Sequence, residues 1–196
     1  MISENTPRIE TADLILRRFT ENDLHAVLRI FGDVETNTFL PWFPVEDIGA
    51  AQAFYNRRYA AKYREKQAYA YAVCLKKDNI PIGYVNLGTS GAFDLGYGLL
   101  PQFRGRGIIT SACTAVIQRA KRNGAAFITA THDISNPRSG EVMRRLGMRY
   151  CYSYREQWQP KNRSVIFRMY QLDLQKDCPV YEEYKKTSPE WFVEKI

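Results

Sequence analysis

Pro101-Gln102-Phe103-Arg104-Gly105-Arg106-Gly107-Ile108 joins the end of one apolar run to the start of a helical one, and the reading of this junction decides the fold. Glycines let a backbone turn tightly and bring successive N–H groups close to a ligand, while a helix start adds unpaired donors and partial positive charge. The surrounding charge points the same way. Positions 95–132 contain no Asp or Glu, whereas Arg104, Arg106, Arg119, Lys121 and Arg122 are all present. First helical turns commonly carry acids that complement the dipole, so a first turn without them leaves room for an anion. A P-loop does not fit, because no Lys occurs in 105–111. The dinucleotide fingerprint fails as well, since Thr110 stands where its third glycine belongs.

Working outward from the junction, three strand-like runs precede it, at 68–75, 80–87 and 92–100. Their short breaks, 76–79 and 88–91, predict an antiparallel meander. After it, Ile109, Ala112, Cys113, Val116, Ile117 and Ala120 repeat at helical spacing up to a stop at Asn123-Gly124. A buried-type strand follows at 125–131. Asn136-Pro137 then reads as an N-cap and first turn of a short helix carrying Val142, Met143 and Leu146, ending at Gly147. Two further strands, 148–158 and 163–174, flank a turn at 159–162.

At the other end, 8–19 closes in a strand alternation, with Leu14 and Leu16 on one face and Ile15 and Phe19 on the other. Thr20-Glu21-Asn22-Asp23 offers cap chemistry for a helix that stops near Gly32. Pro41 and Pro44 interrupt the chain before a second helical run at 45–65. The order βααβββαβαββ predicts an α+β fold: a mixed, mostly antiparallel sheet flanked by helices, in which 92–100 and 125–131 lie parallel across the helix between them. One domain, 1–174, and a C-terminal extension, 175–196, account for the chain.

Composition bounds the class. The chain has 196 residues, a net charge of +7, 45% hydrophobic and 13% aromatic residues, which fits a globular domain with a sizeable core and not disorder. No run approaches the ~20 apolar residues of a membrane span, and the start MISENTPRIE has no apolar signal region, so a soluble, cytoplasmic protein is expected. Cys74, Cys113, Cys151 and Cys178 are widely spaced and the two histidines, His25 and His132, stand apart from them, so no zinc site is expected. Cys74 and Cys113 sit in apolar patterns and read as small buried hydrophobes.

Gln102-Phe103-Arg104-Gly105-Arg106-Gly107 resembles the Q/R-x-x-G-x-G/A pyrophosphate motif of the GNAT acetyltransferase superfamily, whose element order is also similar. Asn136-Pro137-Arg138-Ser139 with Leu146-Gly147-Met148 resembles the N-x-x-S…G-M/F block of the Rim-type ribosomal-protein N-terminal acetyltransferases. Ile9-Glu10-Thr11 with Leu14-Ile15-Leu16-Arg17 resembles the opening strand of that group.

The resemblance implies acetyl-CoA as co-substrate. Its pantetheine arm would pair with the backbone of Leu99 and Leu100, and its pyrophosphate would lie on the amides of Arg104, Gly105, Arg106, Gly107, Ile108, Ile109 and Thr110, with Ser111 adding a hydroxyl or standing as plain helix surface. Ser139 is implied as proton donor to the departing thiolate, with the alternative of a first-turn serine bonded to backbone. Asn136 reads as an N-cap, and the resemblance implies a contact with acceptor or pantetheine through a water.

Asp94 takes the place of the Glu in an E-x-G-Y-x-L run. Being one methylene shorter, it implies proton removal through a water, against the alternative of a solvated strand acid. Tyr150 and Tyr152 are further hydroxyl candidates, and Tyr97 is a candidate for the cleft wall. Phe39, Trp42 and Phe43 would border the acceptor site or cap the second helix. Tyr181, Tyr184, Trp191 and Phe192 are too apolar for a free tail and point to docking on the body or on a second copy in a homodimer.

Three functions remain open on these grounds. The first is an N-acetyltransferase acting on a protein N-terminal amine, or on a small amine such as a polyamine, an amino acid or an antibiotic. The second is a non-catalytic CoA-binding protein. The third, which the net charge permits but no motif supports, is a basic RNA-associated protein.

Overall fold

A computed structural model of the chain describes residues 4–89 and 91–196, so Ser90, within the expected 88–91 turn, lies outside the described residues. Among the described residues, nine strands form two sheets. β1 (Ile9–Glu10), β2 (Leu14–Arg17), β3 (Tyr69–Leu75), β4 (Pro81–Leu87) and β5 (Leu95–Leu99) make an antiparallel sheet in chain order. β6 (Phe127–Asp133), β7 (Arg149–Trp158), β8 (Arg163–Asp173) and β9 (Trp191–Phe192) make the second, ordered β6-β8-β7-β9.

β5 and β6 are the pair expected to run side by side, and they meet at a single parallel bridge, Asp94 with Thr129. The Thr129 N–H donates to the Phe93 carbonyl at 3.2 Å there. Beyond it the strands part, so the single mixed sheet of the sequence reading is two antiparallel sheets with an opening between them.

Helices cover the sheets as the alternation of β2 and β3 requires. On one face Leu14, Leu16, Tyr71 and Val73 pack with Cys113, Val116 and Ile117 of α4 (Ile108–Arg122) and Met143 of α5 (Pro137–Arg145). On the other, Ile15, Ala70, Ala72 and Cys74 pack with Val27, Ile30 and Phe31 of α1 (Leu24–Gly32) and Phe54 of α3 (Ile48–Tyr55). Burial of two such layers supplies the main driving force for this architecture. The entry to α1 is fixed by Asp23, whose carboxylate accepts from Arg17 Nη1 at 2.7 Å, Arg17 Nη2 at 2.9 Å and the Thr20 N–H at 2.8 Å. Burial alone would raise this carboxyl; the Arg17 fork and the Thr20 bonds override it and hold it below the usual carboxylate range.

The helix expected at 45–65 is shorter and broken. Asp47 caps its start by accepting from the Ala50 N–H at 2.7 Å, and after Tyr55 the chain loosens into a π turn, Asn56–Ala60, and a 3-10 turn, Lys62–Arg64. A four-residue helix, α2 (Val34–Asn37), which the sequence did not signal, precedes the proline-interrupted segment and is capped by Asp33. Residues 175–196 fold back on the second sheet. The Tyr152 hydroxyl donates to the Tyr181 carbonyl at 2.7 Å, the Tyr181 N–H donates to Gln171 Oε1 at 2.9 Å, and β9 pairs with β7. The short helix α6 (Glu183–Thr187) lies within this segment.

Candidate functional site

The first turn of α4 is built as the junction sequence demands. Gly107 is the N-cap residue in the left-handed region at φ 72°, and Gly105 is left-handed at φ 76°. A β-carbon at either would meet nothing within 4 Å, so glycine serves the backbone conformation and the surface in front stays open. The first helical bond runs from the Ser111 N–H to the Gly107 carbonyl at 3.0 Å, which leaves the amides of Ile108, Ile109 and Thr110 without intrahelical partners. No side chain caps them and no acid sits in the turn. Gly107, Thr110 and Ser111 line an open groove of about 430 Å³ together with Thr11, Thr114, Ala115 and Arg145. An anion placed here meets donors, dipole and cation together.

Geometry separates the two arginines of the junction. Arg106 is exposed, with its guanidinium 6.0 Å from the Phe103 ring. Arg104 is engaged: Nε donates to the Leu99 carbonyl at 3.2 Å, Nη2 to Thr36 Oγ1 at 2.9 Å, and Nη1 pairs with Glu35. Arg138 also reaches Glu35, at 3.4 Å. The stretch without acids in the sequence therefore has a carboxylate beside it in space, brought by α2 from far along the chain, and the expectation of a neighbourhood without competing acids is corrected on this point.

β5 presents a free edge to the opening. Leu100 donates to the Ile82 carbonyl at 3.0 Å and Asp94 accepts from Gly88 at 2.9 Å, so even-numbered residues face β4. By the alternation of an antiparallel ladder, Tyr97 and Leu99 turn their N–H and C=O groups away from β4 and toward the gap. The Leu99 carbonyl already accepts from Arg104 Nε. Leu100 is engaged as well: its N–H is bonded to Ile82 and its carbonyl to the Phe103 N–H at 3.0 Å. The expectation that its backbone pairs with a ligand is corrected.

Ser139 sits in the first turn of α5, half-buried at the opening. Asn136 is the N-cap residue: its carbonyl accepts from the Ser139 N–H at 3.1 Å, and its side-chain Oδ1 lies 3.4 Å from the same amide. Gly140 lets this turn press on β6, since a β-carbon there would fall 2.5 Å from His132 Nε2. Burial lowers the His132 pKa, favouring a neutral ring under the helix start. The Tyr97 hydroxyl lies 2.8 Å from the Ser139 carbonyl and 3.0 Å from Ser139 Oγ. Tyr97 has one proton: when it is given to the carbonyl, the Tyr97 oxygen accepts from the serine hydroxyl, and when it is given to Ser139 Oγ, the serine proton is left to point into the opening. Burial pushes the Tyr97 phenol well above its ordinary value, so it stays protonated.

Asp94 projects from the opposite face of β5 to Tyr97. The residue is exposed and makes the isolated bridge to Thr129 of β6. Surrounding protein, the largest influence, pushes the carboxyl up to about 6; the Tyr184 hydroxyl opposes this and the Glu156 charge adds to it.

The remaining candidates are placed elsewhere. Tyr150 lies 3.0 Å from Ser153 Oγ and accepts from the Glu194 N–H, while Tyr152 is bonded to the tail. Trp42 stacks edge-on to Phe54 and beneath Arg58, at 4.0 Å, capping α3, while Phe43 remains exposed. The structure brings Ser139, Asn136 and Tyr97 together at one rim and leaves Asp94 across the strand from them. Tyr97 could have been placed from the alternation of Leu95 and Tyr97; nothing local signals Glu35.

A profile of the acetyltransferase (GNAT) domain matches residues 13–149. The chain belongs to the GNAT acetyltransferase family. It is an acetyltransferase by that membership, and the GNAT fold, with antiparallel sheets flanked by helices, recurs in solved structures. A GNAT-family acetyltransferase from Bacillus anthracis superposes with a TM-score of 0.74 at 22% identity, over 86% of this chain and 99% of that one. A GCN5-related N-acetyltransferase from Brucella melitensis gives 0.74 at 16% identity, over 87% and 80%. A ribosomal-protein-S5-alanine acetyltransferase from Vibrio fischeri gives 0.70 at 18% identity, over 88% and 100%. At such identities the GNAT likeness is one of fold. No curated protein matches the chain. No helix among the described residues is long and apolar enough to cross a membrane.

Proposed function

We propose that this GNAT protein transfers the acetyl group of acetyl-CoA by direct attack to a primary amine, and that the amine is a protein N-terminus. One observation carries the reading: a helix start with left-handed glycines, unpaired amides and no acid of its own opens onto the free edge of β5. That arrangement fits a diphosphate at the helix and an amide-bearing arm along Tyr97 and Leu99. Acetyl-CoA supplies an acyl group already activated on a good leaving thiol. The work left to the chain is orientation and proton handling.

The amine approaches from the face of β5 that carries Asp94. It must lose a proton, and Asp94 accepts it through a water, since its short side chain lies low. On the other face Ser139 Oγ, oriented by Tyr97, donates toward the departing sulfur. Placing acceptor and donor on opposite faces keeps the two proton movements apart. We assign the reaction to the cytoplasm, which four unpaired cysteines fit.

Thiol release tests the reading, with acetyl-CoA offered to N-terminal peptides of ribosomal proteins and, in parallel, to polyamines, amino acids and aminoglycosides. Turnover with a peptide N-terminus is expected. Turnover confined to small amines would overturn the acceptor assignment, and silence across the panel would overturn the transferase.

A further inference from the structure

The face of β5 that carries Asp94 continues through Gly96 and Gly98, and only the second of these is covered. A β-carbon at Gly98 would fall 2.4 Å from the Tyr84 ring, whereas one at Gly96 would meet nothing within 4 Å, so the strand surface beside Asp94 lies open. Gly96 pairs with Asn86 of β4, whose Nδ2 lies 3.5 Å from the Tyr59 hydroxyl. Tyr59 belongs to the π turn Asn56–Ala60, an irregularity of the kind that recurs at functional sites. The same turn presents Arg58, half-buried, with its guanidinium 4.0 Å from the centre of the Trp42 ring and 5.8 Å from that of Phe54.

Arg17 and Arg104, also half-buried, are each held by a carboxylate, from Asp23 and Glu35. Among the described residues no carboxylate pairs with Arg58, and Trp42 Nε1 beside it is buried without a hydrogen-bond partner. Burial lowers the Arg58 pKa with no acid to offset it. A guanidinium and an indole N–H thus stand together with no acceptor between them, on the side of the sheet from which the amine approaches. Keeping a cation partly out of water is costly unless a counter-charge is supplied.

We propose that Arg58, on the shelf made by Trp42, is a specificity-determining residue that takes a carboxylate of the acceptor, so that the preferred acceptor is a protein N-terminus with Asp or Glu close behind its amine. The inference rests on the reading of the acceptor as a protein N-terminus. The amine lies over Gly96 beside Asp94, and the acidic side chain reaches past Asn86 and Tyr59 to the guanidinium. Paired N–H donors grip a carboxylate in the plane of the guanidinium, and the stack on Trp42 fixes that plane.

The test compares kcat/KM, at saturating acetyl-CoA, for pairs of short peptides that share a free N-terminus and differ only as Glu or Gln at the second or third position, with free glutamate as a further arm. The unmodified enzyme is expected to prefer the Glu peptide of at least one pair by about tenfold. Arg58→Gln is expected to reduce that preference to within about twofold and Arg58→Lys to leave an intermediate one, with coenzyme A binding by calorimetry verifying that each variant is folded. Equal turnover of Glu and Gln peptides by the unmodified enzyme, or a preference that survives intact in Arg58→Gln, would overturn the inference and leave the peptide N-terminus as acceptor. Turnover of free glutamate but of no peptide would overturn the reading beneath it.

Discussion

At the scale of the residue, the decisive contact is the one between Tyr97 and Ser139. A serine in the first turn of a helix commonly bonds its own backbone, but here the Ser139 hydroxyl lies 3.0 Å from the Tyr97 hydroxyl, which points it toward the opening once Tyr97 donates to it. Ser139→Ala is expected to lower turnover by about 10²-fold, the lower end for general acid catalysis because a thiolate leaves readily, with acetyl-CoA affinity within about twofold of the parent. Equal loss in turnover and affinity would make Ser139 a binding group. Tyr97→Phe, which leaves the serine hydroxyl in place but unoriented, is expected to fall between the parent and Ser139→Ala in kcat. The place of Asn136 and Ser139 at the start of α5 was legible because a motif of four adjacent residues carried it. Tyr97 was legible only as a wall, since the alternation of β5 gives its face and not what lies across the gap.

At the scale of the element, the proposed coenzyme site predicts effects of opposite sign at the start of α4 and at the short helix α2. Gly107→Glu puts a charge in front of three unpaired amides and a β-carbon on a left-handed backbone. The helix has room for the side chain, since nothing lies within 4 Å, so the expected result is a folded protein that binds acetyl-CoA at least about tenfold more weakly. Calorimetry reads this directly. Glu35 does the reverse, because it holds Arg104 and Arg138 away from an incoming phosphate and Arg104 in turn occupies the Leu99 carbonyl. Ion pairs this exposed contribute little, so Glu35→Gln is expected to tighten acetyl-CoA binding by no more than about fivefold. Weaker binding in that variant would mean that Glu35 orients Arg104 for the ligand.

The main elements around the junction were legible from periodicity and caps: α4, α5 and the strands of the meander fall close to where their patterns put them. α2 was not, because four residues between Gly32 and the prolines carry no period to read. The break in the helix after Tyr55 was hidden for the opposite reason, an apolar pattern that continues through a π turn.

At the scale of the whole molecule, the sequence indicated which strands are neighbours but not that two of them separate. Pairing of β5 with β6 follows from the helix between them; its confinement to one bridge depends on how α5 and the second sheet sit, which no local pattern encodes. That separation is what makes a free strand edge beside a helix start, and with it a place for a long, flexible, doubly charged ligand. The tail illustrates the same limit. Its aromatic residues announced docking, while the stack of Tyr184 on Tyr154 depends on the register of β9 against β7 and on the path of residues 175–190.

The claim on which the rest stands is that the unpaired amides at the start of α4 receive the diphosphate of the coenzyme, and amide-resolved NMR during a titration with coenzyme A tests it most directly. The amide signals of Gly105, Gly107, Ile108, Ile109 and Thr110 are expected to move together and saturate with the affinity measured by calorimetry. If those signals stay fixed while coenzyme A binds and shifts amides elsewhere in the chain, the site described here is contradicted.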